Sequence, residues 1–144
     1  HRPATKFVAA FIGSPAMNMV PCAIEESAGA LRIRLSPALA FAVPPERTER
    51  YRPHAGKELI LGLRPEHITE AHPYANGGDV QDFTATLDVV EPMGMETMVY
   101  FVVEGREVCG RVAPDAAGNA GERMRLLADL NHMHLMDPRT DLVI

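Results

Sequence analysis

The stretch KELILGLR, residues 57–64, places leucine at every second position from Leu59 to Leu63. Side chains two residues apart project from the same face of an extended chain, so these leucines would share one face. Pro65 follows, and proline disfavours helical backbone at the residue before it. The stretch therefore predicts a half-buried β-strand that ends at the Arg64–Pro65 step.

The same period of two recurs along most of the chain. ALRIRLS (30–36) alternates leucine or isoleucine with arginine, and DFTATLDVVE (82–91) alternates apolar with polar residues, so each predicts one strand. TMVYFVV (97–103) is apolar on both faces, which predicts a central strand. Three further stretches predict short strands: EVCGRVA (107–113), RMRLLAD (123–129) and MHLMD (133–137).

Turn-forming residues separate these stretches at regular intervals. Examples are EESAGA (25–30), the Glu104–Gly105 pair and PDAAGNAG (114–121). Many short strands punctuated in this way predict an all-β sandwich or barrel. The exception is residues 38–56, where two prolines end any strand and the charged run that follows is interpreted as a solvated loop.

The first residues follow a different period. Pro3 to Ile12 carry apolar side chains on one helical stripe, and Gly13 suits the end of a helix. These residues predict a short N-terminal α-helix.

Composition narrows the functional classes. Fourteen Lys and Arg against 19 Asp and Glu give a net charge of −5, and aromatic residues make up only 6%. Nucleic-acid binders carry basic patches and stacking aromatics, so this balance argues against that class. Cys22 and Cys109 lie far apart in sequence, and we expect both to be reduced thiols.

Histidine spacing gives only a weak indication of a metal site. His132 and His134 are two residues apart and would share a face on a strand, and His67 and His72 are five apart across a probable loop. No cysteine or carboxylate joins either pair at a ligand spacing. We therefore expect no metal site.

No motif for catalysis is present in this sequence. The serines lack a G-x-S-x-G context, and the phosphate-binding pattern G-x-x-x-x-G-K-[ST] does not occur. Arg64 and Glu66 would share a side of an extended chain and could pair with charges on a neighbour. The simplest interpretation is a strand-to-loop corner with a surface ion pair. The eight methionines are interpreted mainly as core packing, with an adaptable contact surface at Met17 and Met19 as the alternative.

Four motifs together resemble a known family. They are RPATKFVAAFIGSPAMN (2–18), LILGLRPEHI (59–68), VVEPMGMETMVYF (89–101) and HMHLMD (132–137). In this order and at these separations they resemble the C-terminal region of the ATP-binding subunits of carbohydrate ABC importers. Close relatives in that family are the subunits of maltose/maltodextrin and sn-glycerol-3-phosphate importers.

The resemblance implies a fold and a domain organisation. The fold would be an OB-fold-like β-barrel of the TOBE or MOP-like type, preceded by a short α-helix. Residues 1–13 would be the last helix of a nucleotide-binding domain that is otherwise absent, and residues 14–144 the regulatory domain.

The resemblance also implies interaction or regulatory roles at twelve positions that match the family motifs. These positions are Gly13, Ser14, Pro15, Asn18, Gly62, Arg64, Pro65, Glu66, Glu91, Gly94, Glu96 and His134. None of them would be catalytic or bind a cofactor.

The implied function is regulation and dimerisation of an importer's ATP-binding subunit. This fragment would not itself be an enzyme, and ATP and Mg²⁺ would belong to the missing domain of the parent ATPase. Expected partners are a second copy through the β domain, the permease subunits and a cytoplasmic regulatory protein, but no nucleic acid. The parent would lie on the cytoplasmic face of the plasma membrane. The alternative is a MOP-like barrel that binds a small oxyanion, with Arg64, Arg106 and Arg111 as donors.

Overall fold

A computed structural model describes residues 16–72 and 79–144, and in these ranges the regular secondary structure is mainly β-strand. The strands are β1 (Asn18–Ser27), β2 (Ala30–Ser36), β3 (Leu39–Ala42), β4 (Glu58–Leu63), β5 (Ile68–Glu70), β6 (Val80–Thr86), β7 (Val89–Pro92), β8 (Thr97–Val103), β9 (Arg106–Val112), β10 (Arg123–Asp129) and β11 (His134–Met136). One α-helix, α1 (Thr48–Tyr51), and five 3-10 turns complete the described ranges; the turns are Pro45–Arg47, Arg52–His54, Pro65–His67, Pro114–Ala116 and Leu130–His132. The all-β class is confirmed.

The described strands form three antiparallel sheets. The first has the order β11-β4-β1-β2-β3, the second β5-β10-β6 and the third β7-β8-β9. In the described ranges, strand-to-strand ladders do not join these sheets into one continuous ring. The predicted N-terminal helix, with Gly13, Ser14 and Pro15, lies outside the described residues.

The core lies where the three sheets meet. The leucines of the opening stretch are buried there, as their period of two predicts. Phe83 of β6 lies between Phe41 of β3 and Phe101 of β8, with ring centroids 5.6 and 5.7 Å away. One aromatic ring from each sheet therefore packs at the centre, in the tilted and edge-on arrangements that aromatic pairs favour.

Side chains join the sheets where the ladders stop. The Asn18 side-chain amide donates to the Cys109 carbonyl and accepts from the Cys109 N–H, both at 2.9 Å, which joins β1 to β9. The side-chain carbonyl of Gln81 accepts a hydrogen bond from the Ala42 N–H at 3.1 Å. The Glu70 carboxylate accepts one from the Ala113 N–H at 3.0 Å. These three seams, one between each pair of sheets, supply partners for backbone groups at strand edges.

The predicted strand over 82–91 is two strands in two different sheets. Between β6 and β7 the Leu87 N–H donates to the Glu122 carbonyl and the Asp88 N–H donates to the Tyr100 carbonyl. Leu87 is buried, but Val89 is exposed, so the alternation shifts by one residue at the crossing. Only Leu87 and a bend at Asp88 separate the two strands, which is why the pattern resembles that of a single strand.

The prediction of a solvated loop for the charged run after Pro44 and Pro45 was wrong. This run contains α1 and two 3-10 turns, and Tyr51 is fully buried. The Tyr51 hydroxyl accepts from the Arg47 guanidinium at 3.0 Å, and Arg47 also donates to the Met133 and Asn131 carbonyls at 2.6 Å each. The charged run is therefore anchored to the C-terminal part of the chain.

Two smaller expectations are confirmed. The β1–β2 connection turns at Ala28 and Gly29, both with positive φ (52° and 83°), as a two-residue hairpin requires. Cys22 and Cys109 are both free thiols, the first buried and the second half-buried.

In the described ranges, no helix has the length and apolar character needed to cross a membrane.

Candidate functional site

Three of the nine described candidate positions are buried and hold the fold together. Asn18 forms the seam to β9, and Pro65 begins the 3-10 turn after β4. Gly62 lies beneath a small apolar cluster on the outer side of the five-stranded sheet. A Cβ at Gly62 would come within 2.6 Å of Met17 Sδ and 2.7 Å of Met136 Cε, so a larger residue there would displace both methionines.

The corner after β4 carries Arg64 and Glu66. Arg64 is extended (φ −75°, ψ 151°), as the following proline requires, and Glu66 is exposed. The ion pairs of the described residues include neither side chain, so the predicted surface ion pair is not formed among these residues. The corner instead presents a free carboxylate to solvent next to His67.

His134 faces the same region from β11. It lies opposite Gly62 in the ladder between β11 and β4 and is half-buried. Burial lowers its pKa, and the charges of Arg47 and Arg64 lower it further. His134 is therefore held mainly neutral near neutral pH.

The remaining candidates lie on the hairpin between β7 and β8. Glu91 accepts a hydrogen bond of 3.4 Å from the Tyr100 hydroxyl, and Glu96 pairs with Arg111 at 3.0 Å. Gly94 has φ +87°, a conformation that favours glycine, in a turn closed by the Met93 N–H donating to the Glu96 carbonyl. Burial raises the pKa of Tyr100 to about 12, with Cys109 and Glu91 contributing, so its hydroxyl stays protonated.

This hairpin exposes an unusual amount of apolar surface. Five large apolar side chains of the described ranges are exposed, and four of them lie between residues 89 and 102. Met95 is 95% exposed and Met93 57%, while Val89 and Val102 are about half exposed. The interpretation of the methionines as core packing is wrong for Met93 and Met95. Their position on either side of Gly94, in a turn, was the available signal.

A histidine pair that the spacing did not indicate lies on another part of the surface. The rings of His67 and His132 stack with centroids 4.0 Å apart and planes within 7°. His132 and His134 do not lie on one strand as the spacing suggested. His132 is the last residue of a 3-10 turn, and His134 is the first residue of β11. No local pattern could relate His67 to His132, since only the pairing of β5 with β10 brings them together.

Burial and charge at His67 and His134 predict a pH dependence of stability. Burial, followed by the charge of His132, lowers the pKa of His67 below the ordinary 6.5, and the pKa of His134 is lowered as well. The unfolded chain therefore binds protons first as the pH falls below about 6.5, and stability should decrease in that window. Urea unfolding in the presence of a chelator, repeated from pH 8 to about 5, would measure how steeply the free energy of unfolding changes with pH.

In the double variant His67→Gln/His134→Gln the slope in that window should be shallower. His54→Gln, which removes a histidine from another turn, is the control. A slope unchanged in the double variant would contradict the assignment.

Comparisons with known proteins place this β fold in a family. Residues 61–136 match the model of the TOBE domain, and residues 13–68 match that of the MalK OB fold domain. The TOBE match alone spans more than half of the chain. The chain belongs to the TOBE domain family.

Relatives of this TOBE domain include subunits of importers, and the similarity to them extends over nearly the whole of this chain. The sn-glycerol-3-phosphate import ATP-binding protein UgpC of Ralstonia nicotianae is 37% identical over 96% of the chain and 37% of its own length. The maltose/maltodextrin import ATP-binding protein MalK of Aliivibrio fischeri is 35% identical over 94% of the chain and 35% of its own length. The chain thus spans little more than a third of these relatives.

The TOBE fold also appears among solved structures. The cytoplasmic molybdate-binding protein ModG, determined with molybdate bound, aligns with a TM-score of 0.57. The alignment covers 84% of this chain and 96% of ModG, at 18% identity. At that identity the similarity concerns the fold alone.

Proposed function

We propose that this TOBE domain is the regulatory and dimerisation part of the ATP-binding subunit of an importer for a carbohydrate or sn-glycerol-3-phosphate. The observation that carries the proposal is the similarity of nearly the whole chain to import ATP-binding proteins of that kind. Residues 14–144 form the regulatory domain, and residues 1–13 are the end of the nucleotide-binding domain.

In this proposal the domain contributes contacts, and the chemistry takes place elsewhere. ATP and Mg²⁺ bind the nucleotide-binding domain of the parent, which works beneath the permease subunits on the cytoplasmic face of the membrane. The domain couples hydrolysis to import by keeping two subunits together while their nucleotide-binding domains open and close. The exposed Glu66 and its neighbour Arg64 are the proposed contacts for a cytoplasmic regulatory protein.

The hairpin between β7 and β8 is the proposed dimer contact. Apolar side chains exposed together on one sheet are typical of a surface that a partner covers. Val89 and Val102 provide flat β surface, and Met93 and Met95 provide flexible side chains at its tip. Two copies related by a two-fold axis would bury the same hairpin from both sides.

The double variant Met93→Ser/Met95→Ser should weaken self-association of the chain. Removing two large apolar side chains from a contact centre should raise the dimer dissociation constant at least about tenfold. Sedimentation equilibrium over a concentration series would measure it. Leu142→Ser, at an exposed leucine in the C-terminal segment, is the matched control and should leave the constant unchanged.

The same double variant in the full-length subunit, assembled with its permeases, tests the coupling role. Transport should fall while ATP binding by the subunit is retained. A strictly monomeric wild-type chain at all concentrations, or an equal effect of Leu142→Ser, would contradict the dimer contact.

A small-oxyanion site is the second candidate, favoured by the fold shared with the molybdate-binding ModG. Two of its expected donors lie near opposite ends of one strand. Arg106 begins β9, Arg111 lies near the other end of β9 and pairs with Glu96, and Arg64 follows β4. Titration calorimetry with molybdate, tungstate and sulfate would detect such a site, and heats equal to dilution would remove this candidate.

A further inference from the structure

Three side chains of metal-ligand type meet at the surface beside β5 and β10. They are His67, Asp129 and His132, and one ligand atom of each lies within 4.8 Å of the others. Asp129 Oδ2 is 3.8 Å from His132 Nε2, and the two imidazole rings are stacked. Imidazole nitrogens and a carboxylate oxygen are a common ligand set for zinc.

The strand pairing and two hydrogen-bonded turns fix the backbone positions of all three residues. Ile68 pairs with Ala128 in the ladder between β5 and β10, so His67 and Asp129 are the next residues along each strand. The His67 N–H donates to the Arg64 carbonyl at 3.0 Å, which closes the turn that carries His67. Asp129 Oδ1 accepts from the Asn131 N–H at 3.1 Å, which caps the turn that carries His132.

We propose that His67, Asp129 and His132 bind a divalent cation of the zinc class, with water as the fourth ligand. Zinc–nitrogen and zinc–oxygen distances are about 2 Å, so the ligand atoms must approach one another by about 1 Å. The His132 side chain is 54% exposed and free to turn out of the stack toward the ion. The cap on Asp129 uses one carboxylate oxygen and leaves the other directed at the imidazoles.

The donors are available and the surroundings are suitable for a cation. In residues 16–72 and 79–144, no group donates a hydrogen bond to either imidazole, and burial with the charge of His132 keeps His67 in its neutral, ligating form. Glu66 and Asp129 face His67 with negative charge, and Arg64 opposes them. A surface cavity of about 150 Å³, lined by Glu66, Thr69 and His72 among others, leaves room for a bound water.

The charge beyond Asp129 also favours a cation. Asp79 lies close enough to Glu46 and Asp129 that burial and both carboxylates raise its pKa, while Arg47 lowers it. This side of the molecule therefore carries several carboxylates near the pair of imidazoles. Mg²⁺ and Ca²⁺ prefer oxygen ligands throughout, so the two nitrogens favour Zn²⁺ over both.

The test is titration calorimetry of the purified chain with Zn²⁺ in a chelator-free buffer near pH 7.5. We expect one Zn²⁺ per chain and no binding of Mg²⁺ at the same concentrations. The variants His67→Gln, His132→Gln and Asp129→Asn should each weaken Zn²⁺ binding at least about tenfold, because each removes one ligand. His54→Gln is the matched control and should bind like the wild-type chain.

Two features keep this test decisive. Asn at 129 retains the oxygen that caps the following turn, so Asp129→Asn should fold normally and differ only at the ion. Cobalt(II) substitution adds a spectroscopic signature, the absorption bands of a tetrahedral site, which should disappear in His67→Gln. Absence of Zn²⁺ binding by the wild-type chain, or binding that all three variants retain, would overturn the proposal.

Discussion

Replacing Asn18 with leucine is expected to lower the free energy of unfolding by about 2–5 kcal/mol, since two buried backbone groups lose their partners. Across the seam between β1 and β9, the Asn18 side-chain amide donates to the Cys109 carbonyl and accepts from the Cys109 N–H, at 2.9 Å each. Asn18 is only 9% exposed, so water cannot readily replace it. Leucine has the same number and branching of side-chain heavy atoms but cannot hydrogen-bond, so the loss reports mainly the hydrogen bonds. Urea unfolding would measure it.

Asn119→Leu is the matched control for this prediction. Asn119 is exposed in the segment before β10, and exposed substitutions of this kind usually change stability by less than about 0.5 kcal/mol. If Asn18→Leu were no more destabilising than Asn119→Leu, the seam would not contribute to stability and the sheets would be held together by core packing alone.

Gly110→Ala is expected to cost about 1–3 kcal/mol, the usual range for forcing an extra group into a packed interior. A Cβ at Gly110 of β9 would lie 2.8 Å from Ile68 Cγ2 and 3.0 Å from the Ile68 carbonyl oxygen. That carbonyl belongs to β5, whose pairing with β10 limits its movement. The added methyl group would therefore push two sheets apart at the seam next to Glu70 and Ala113. Thermal and urea unfolding would both report the loss.

Gly62→Ala is a matched comparison, because it adds the same methyl group to another buried strand. The atoms that its Cβ would meet are nearer, at 2.6 and 2.7 Å, but they are the sulfur of Met17 and the terminal methyl of Met136. Methionine side chains are flexible and adjust to such changes. We therefore expect Gly62→Ala to be the milder variant. A larger loss for Gly62→Ala would show that the outer methionine cluster is more rigid than the seam.

The positions implied by the family resemblance separate by burial. Asn18, Gly62 and Pro65 are buried and act on the fold, whereas Glu66 and Gly94 are exposed and available to partners. Variants of the first group should therefore alter stability before they alter regulation. The proposed dimer and regulatory contacts concern the exposed group.

Much of the architecture follows from patterns over a few residues. The alternating leucines of β4, the arginine and leucine alternation of β2 and the Ala28–Gly29 turn each predict the observed element. These signals are local, because side-chain direction repeats every two residues in an extended chain. The same locality explains the error at 82–91, where a short bend at Asp88 takes the chain to another sheet and leaves the apolar pattern nearly continuous.

The sequence by itself determined the all-β class, most strands and the family, because each depends on local alternation, turns or motifs. Tertiary structure alone decided the seams and the candidate sites. Asn18 and Cys109 are 91 residues apart, Gln81 and Ala42 are 39 apart, and Glu70 and Ala113 are 43 apart. The His67–His132 pair likewise depends on the ladder between β5 and β10. No local pattern encodes such contacts, because they arise only where three sheets pack around one core.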